Sequence, residues 1–121
     1  MRGIRGAVTV ENNSREEIIE AVQSMLRQIM HDNELKTADI GAALFSATDD
    51  ITAVFPAFAA RLLPGWDLVP LFDAQQLYID GSIRKCVRVL LLVDTDKPQA
   101  DIHHVYLGRA AALRPDISAD K

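Results

Sequence analysis

Arg84-Lys85-Cys86-Val87-Arg88-Val89-Leu90-Leu91-Leu92-Val93 decides how the rest of this chain is read, because every residue from Cys86 to Val93 is apolar except Arg88. A strand with one wet face alternates polar and apolar residues, and this run does not. Ile83 to Val93 is therefore predicted to be a long strand, apolar on both faces, in the middle of a sheet. Arg88 then becomes the anomaly of the run, since alternation puts it on one face with Cys86 and Leu90. A guanidinium on an apolar face costs several kcal/mol, on the order of what a buried unpaired ion costs, unless a carboxylate or a bound anion meets it.

Outward from that strand, the remaining pattern predicts one α/β sheet. Residues 2–10 carry Ile4, Val8 and Val10 with glycines at 3 and 6, which reads as a strand approached closely by other backbone. Ser14 and Glu17 form a capping-box pattern, and Ile18, Ile19, Val22, Met25, Leu26, Ile29 and Met30 follow at helical spacing, so a helix is expected over 15–31, closed by His31, Asp32 and Asn33. Residues 39–47 read as a buried strand ending at Thr48-Asp49-Asp50. Phe55-Pro56 opens a short helix running to Leu63, ended by Pro64-Gly65. Leu68–Phe72 reads as a strand, Asp73–Leu77 as a polar turn or single helical turn, 98–102 as another helical turn, 103–107 as a last strand and 108–113 as a short helix. The order strand, helix, strand, helix, strand, strand, strand describes an α/β sheet with helices mainly on one side.

The chain has 121 residues, 49% of them hydrophobic and 25% charged, enough for one core and too few for two, so residues 1–121 are expected to be a single domain with a flexible polar tail at about 115–121. The net charge of -4 argues against nucleic-acid and anionic-membrane partners, which are bound through dense basic clusters. The absence of a long apolar run and of a secretory pattern at the start makes a cytoplasmic protein the expectation. Cys86, the single cysteine, cannot form an internal disulfide or hold a metal alone, and His103 and His104 point to opposite faces of a strand. No metal and no cofactor are expected, and no catalytic-triad, phosphate-loop or dinucleotide pattern is present.

Arg5, between Ile4 and Gly6, poses the same question as Arg88, and two strand-borne arginines together favour a carboxylate-binding pocket, for which a planar guanidinium is well suited. Asp73 and Gln76 are three apart, which puts them on one side if the segment turns helically. Taken alone they read as an N-cap and a solvated residue, Tyr106 as an amphipathic packing residue, and Phe55, Phe58 and Phe72 as core or interface residues.

Together these segments resemble the small trimeric chorismate mutases, as distinct from the all-helical ones. The resemblance rests on Arg2-Gly3-Ile4-Arg5-Gly6-Ala7, Thr9-Val10-Glu11, Phe45-Ser46-Ala47-Thr48, Ala53-Val54-Phe55-Pro56-Ala57, Gly65-Trp66, Lys85-Cys86-Val87-Arg88-Val89, His104-Val105-Tyr106-Leu107 and Leu113-Arg114-Pro115-Asp116. It implies a mixed sheet with packed helices, three copies forming a pseudo-α/β barrel, and active sites in the clefts between subunits. It implies rearrangement of chorismate to prephenate, in aromatic amino acid biosynthesis, without a cofactor. The implied ligand positions are Arg5, Phe72, Asp73, Ala74, Gln75, Gln76, Arg88 and Tyr106, with Phe55, Ala57, Arg61, Leu113 and Arg114 lining the site. Arg88 is assigned to the ether oxygen and a carboxylate, Arg5 to a carboxylate, and Tyr106 to the enolpyruvyl carboxylate.

Two departures from the family pattern bear on the site. Gln76 stands where the family usually has a glutamate facing the ring hydroxyl and the cationic ring, and Asp73 stands where cysteine is common; Asp73 is then expected to supply the negative charge and Gln76 the hydroxyl hydrogen bond. Phe58 stands where a lysine is common, removing a rim cation. The competing reading is a noncatalytic or imine-deaminase-like trimeric module that grips a small carboxylate.

Overall fold

The computed structural model describes residues 1–112, so the expectations for Leu113, Arg114 and the tail lie outside the described residues. Five strands, β1 (Arg2–Thr9), β2 (Ile40–Ala47), β3 (Leu71–Gln75), β4 (Cys86–Val93) and β5 (Val105–Leu107), and two α-helices, α1 (Arg15–Asp32) and α2 (Pro56–Arg61), are joined by loops and short 3-10 turns. The strand order is β3-β2-β4-β1-β5. β4, the strand carrying Arg88, is thus central, as its two apolar faces predict. It runs antiparallel to both neighbours, whereas β2–β3 and β1–β5 are parallel, so the sheet is mixed.

α1 forms where the apolar spacing predicts it and buries Ile18, Val22, Met25, Leu26 and Ile29 completely against Ile4, Phe45, Val87, Val89 and Leu91. Each such side chain contributes about 1.5–3 kcal/mol of burial. The cap is half of the predicted box: Ser14 Oγ accepts the Glu17 N–H at 3.2 Å, while the Glu17 carboxylate passes the cap residue and takes the N–H groups of Glu11 and Asn12. At the other end, Asn33 is 2% exposed and does more than stop the helix. Its side-chain amide donates to the carbonyls of Ile29 and His103 and accepts the His103 N–H at 2.8 Å, tying α1 to the approach of β5. Gly6 faces α1 rather than other backbone or a ligand: a Cβ there would lie 2.8 Å from Ile29 Cδ1.

Several boundaries differ from the sequence reading; α2 ends at Arg61 rather than Leu63, and β5 begins at Val105 rather than His103. Gly65, at φ 84°, opens a 3-10 turn over Trp66–Leu68, which displaces β3 to Leu71–Gln75. The expected turn at Asp73–Leu77 is therefore strand as far as Gln75, and its parallel partner β2 supplies the hydrogen bonds that the isolated segment lacks. β4 starts at Cys86 instead of Ile83 because Lys85 adopts φ 50°. The Asp50 carboxylate holds that kink by accepting the Lys85 N–H at 3.1 Å. No helix among the described residues is long and apolar enough to cross a membrane.

Candidate active site

Register assigns each side chain to a face. Val87, Val89, Leu91 and Val93 of β4 pack under the helices, so Cys86, Arg88, Leu90 and Leu92 take the opposite, open face. Arg88 is opposite Ser46 on one side and Ala7 on the other, Ser46 pairs with Ala74, and Ala7 pairs with Tyr106. One transverse row thus crosses all five strands as Ala74, Ser46, Arg88, Ala7 and Tyr106. The three small residues in that row leave space around the guanidinium. The next row holds Phe72, Leu44, Leu90 and Arg5 on the same face. The backbone N–H of Arg5 donates to His104 Nδ1 at 2.9 Å, which ties β1 to the residue that precedes β5.

Gln76 joins this face. Its N–H donates to the Ala47 carbonyl at 3.0 Å, extending the β2–β3 ladder by one residue and placing it with Phe72 and Ala74 by alternation. Gln76 Oε1 and Arg88 Nε are both buried and have no hydrogen-bond partner among the described residues. A buried donor and a buried acceptor, both unpaired, are unusual in a folded chain and mark a place that receives polar groups from elsewhere. Tyr106, 5% exposed, packs with Ala7, Cys86 and Ala110. Burial pushes the Cys86 thiol up from its ordinary pKa, against the pull of the adjacent Arg88 and of Arg109.

Asp73 requires a correction. In a strand, positions 73 and 76 point to opposite faces, and Asp73, opposite Phe45, lies on the helix side. Its Oδ1 accepts the Ala57 N–H at 3.0 Å, so it caps α2 from across the chain. Burial pushes its carboxyl above the ordinary 3.8, although the Ala57 hydrogen bond and the charge of Arg61 oppose the shift. Within one chain, therefore, the sheet separates Asp73 from Gln76. A groove of about 990 Å³ opens beside Asp73, lined among others by Phe55, Phe58, Arg61, Gln75 and Arg15. That volume is at the upper end of the roughly 300–1,000 Å³ of small-molecule sites. Ala57 is buried in α2 beside the lining residues Pro56 and Phe58.

The site residues predicted from sequence thus form two sets at the same end of the sheet. Arg5, Phe72, Ala74, Gln76, Arg88 and Tyr106 share the open face, and Phe55, Ala57, Arg61, Asp73 and Gln75 share the helix side. Sequence reasoning gave no role to Ser46 and Ala7, whose smallness makes room around Arg88 and which carry no signal until the strand register is known, or to Arg15, which reaches the groove only through the packing of α1 beside α2.

The sheet carries helices on one face and two arginines, a tyrosine and an amide on the other, which makes the chain an α+β domain with a polar cluster on its uncovered face. The chain matches the family model for chorismate mutase type I over residues 1–117. It is 46% identical over 121 residues to chorismate mutase AroH from Bacillus subtilis, covering 100% of this chain and 95% of that protein. It is 41% identical over 120 residues to chorismate mutase AroH from Thermus thermophilus, covering 98% of each. Among solved structures, a chorismate mutase from Clostridium thermocellum superposes with a TM-score of 0.89 at 40% identity, over 93% of this chain and 99% of that one. The chain belongs to the chorismate mutase type I family.

Proposed function

We propose that the protein rearranges chorismate to prephenate at a site shared between copies of the chain in a cytoplasmic homotrimer. The observation that carries the reading is the unpaired Arg88 Nε in a row of small side chains, facing the same side as Arg5, Tyr106 and Gln76. The reaction is unimolecular. A carbon–oxygen bond breaks as a carbon–carbon bond forms, leaving partial negative charge on the ether oxygen and partial positive charge on the ring. The protein's work is to hold the enolpyruvyl arm over the ring and to match those charges with fixed groups.

In this reading Arg88 meets the ether oxygen and one carboxylate, Arg5 grips a carboxylate, and Tyr106 donates to the enolpyruvyl carboxylate. Gln76 accepts from the ring hydroxyl. The second half of the site, Phe55, Ala57, Arg61 and Asp73, comes from a neighbouring copy, because the sheet of one chain separates it from Arg88. Across that boundary Asp73 of one copy faces Gln76 of the next, and its Oδ2, without a hydrogen-bond partner among the described residues, supplies the negative charge toward the ring.

The test follows the loss of chorismate absorbance with purified protein. Arg88→Ala is expected to lower kcat by at least about 10²–10³, the loss that follows removal of one preorganised donor. An Arg88→Ala enzyme with undiminished turnover would refute the assignment.

A further inference from the structure

Two arginines flank one aromatic ring at the mouth of the groove. The guanidinium carbon of Arg15, the first residue of α1, lies 4.8 Å from the centroid of Phe58, and that of Arg61 lies 5.5 Å from the same centroid. Both arginines are solvent-exposed, and neither makes a hydrogen bond or an ion pair with any described residue. A ring face attracts a cation electrostatically, so Phe58 holds both guanidiniums in place while leaving every N–H free. Two like charges gathered on one ring repel, and an anion placed between them relieves that repulsion. Arg15 and Arg61 are the positively charged residues of the groove lining, where Asp49 and Asp73 are the negative ones. The chain as a whole carries a net charge of -4, so a dianion approaching the groove needs a local positive field to enter it.

We propose that Arg15, held by Phe58 beside Arg61, is a substrate-capture residue, drawing a carboxylate of the dianionic substrate into the groove before the chemical step. The inference rests on the mutase reading above and adds to it a residue from α1. Because Arg15 acts on capture and Arg88 on bond-breaking, their losses separate kinetically. Removing Arg15 weakens ground-state and transition-state binding alike and leaves the barrier from the bound complex unchanged.

The experiment compares steady-state kinetics on chorismate for the wild type, Arg15→Ala, Arg15→Ala with Phe58→Lys, and Arg27→Ala, the last removing an exposed charge of α1 outside the groove. Arg15→Ala is expected to raise KM about threefold to tenfold with kcat within about twofold, the size of effect that exposed charge and cation–π contacts supply. It should also flatten the fall of kcat/KM with ionic strength. Phe58→Lys, which puts a cation on α2 itself, should restore KM in the Arg15→Ala background, and Arg27→Ala should leave KM alone. An unchanged KM in Arg15→Ala, or an equal rise in Arg27→Ala, overturns the role of Arg15 while the wild-type turnover keeps the mutase reading intact. A wild type that does not consume chorismate overturns both.

Discussion

Charge at single carboxylates sets how this domain answers to pH. For Asp50, burial pushes the carboxyl up, yet the Thr48 hydroxyl, the Lys85 N–H and the charge of Arg84 outweigh it and hold the pKa below 3.8. A carboxyl depressed in the folded state contributes stability that is present above its unfolded value and lost as pH falls through the folded one. Asp50→Asn should therefore be less stable than wild type at neutral pH, and the gap should close on acidification below about pH 4, measured by urea unfolding at stepped pH. Asp73 has the opposite sign. Its folded-state pKa is raised by burial, so its ionisation costs stability as pH rises from 3.8 through the raised value. Asp73→Asn keeps an acceptor for the Ala57 N–H; its stability relative to wild type should grow across that window and then level off. A flat difference would show that the Ala57 hydrogen bond fully offsets the burial. Arg88 was legible as anomalous from its neighbours alone, but a salt bridge or a strand surfacing at that point fits one such arginine as well as a ligand does, and only Arg5 beside it favours a pocket. The face of Asp73 was not legible, since Leu68–Phe72 fits the apolar pattern better than Leu71–Gln75, and the strand is displaced by the left-handed Gly65 turn and by pairing with β2, neither of which a local pattern records.

Elements are joined here by a few polar clamps, and those clamps are the points to perturb. Asn33→Ala removes the partner of the buried Ile29 carbonyl and of the half-buried His103 N–H and carbonyl, and should cost about 1–3 kcal/mol, the scale of one buried orphaned group. The midpoint of urea unfolding reads this directly, and a loss under about 0.5 kcal/mol, the range of an ordinary surface change, would mean that the clamp is dispensable. Gly108 has φ 63°, and a Cβ there would meet Thr9 Oγ1 at 2.6 Å. Gly108→Ala should cost more than the roughly 1 kcal/mol that the positive φ alone imposes. It should also disturb Tyr106 two residues upstream, because Thr9 Oγ1 is where the Arg109 N–H binds. Of these elements, α1 and β4 were read almost to their ends, since 3.6-residue periodicity and an unbroken apolar run are local signals. The start of β4 was misplaced because the interaction that stops it, Asp50 on Lys85, is 35 residues away in sequence. No window of sequence contains it.

For the whole molecule, the decisive fact is that one face of the sheet is covered by helices while the other shows Leu44, Leu90 and Phe72 at 39%, 38% and 61% exposure. Large apolar side chains around a site that needs a second half argue for assembly with copies of the same chain. Mixing makes the idea quantitative. Arg88→Ala and Arg61→Ala damage different halves, so subunits unfolded together and refolded as hybrids should regain activity at about one site in four, as random assembly in a closed ring dictates. Mixtures no more active than the two parents would place both residues in sites built from one chain. The proposed composite site draws on resemblance and not on periodicity, because no pattern in one chain records which face another copy covers.

Cys86 gives the protein a built-in clock. Its thiol is fully buried beside Arg88 and held protonated by that burial, whereas alkylating reagents consume only exposed thiolate. The rate at which a maleimide labels the native protein therefore counts how often the packing of Ala7, Tyr106 and Ala110 over Cys86 loosens, with no probe to engineer. A ligand that binds only while Cys86 is covered lengthens the interval between openings by a factor of one plus the ratio of free ligand concentration to Kd.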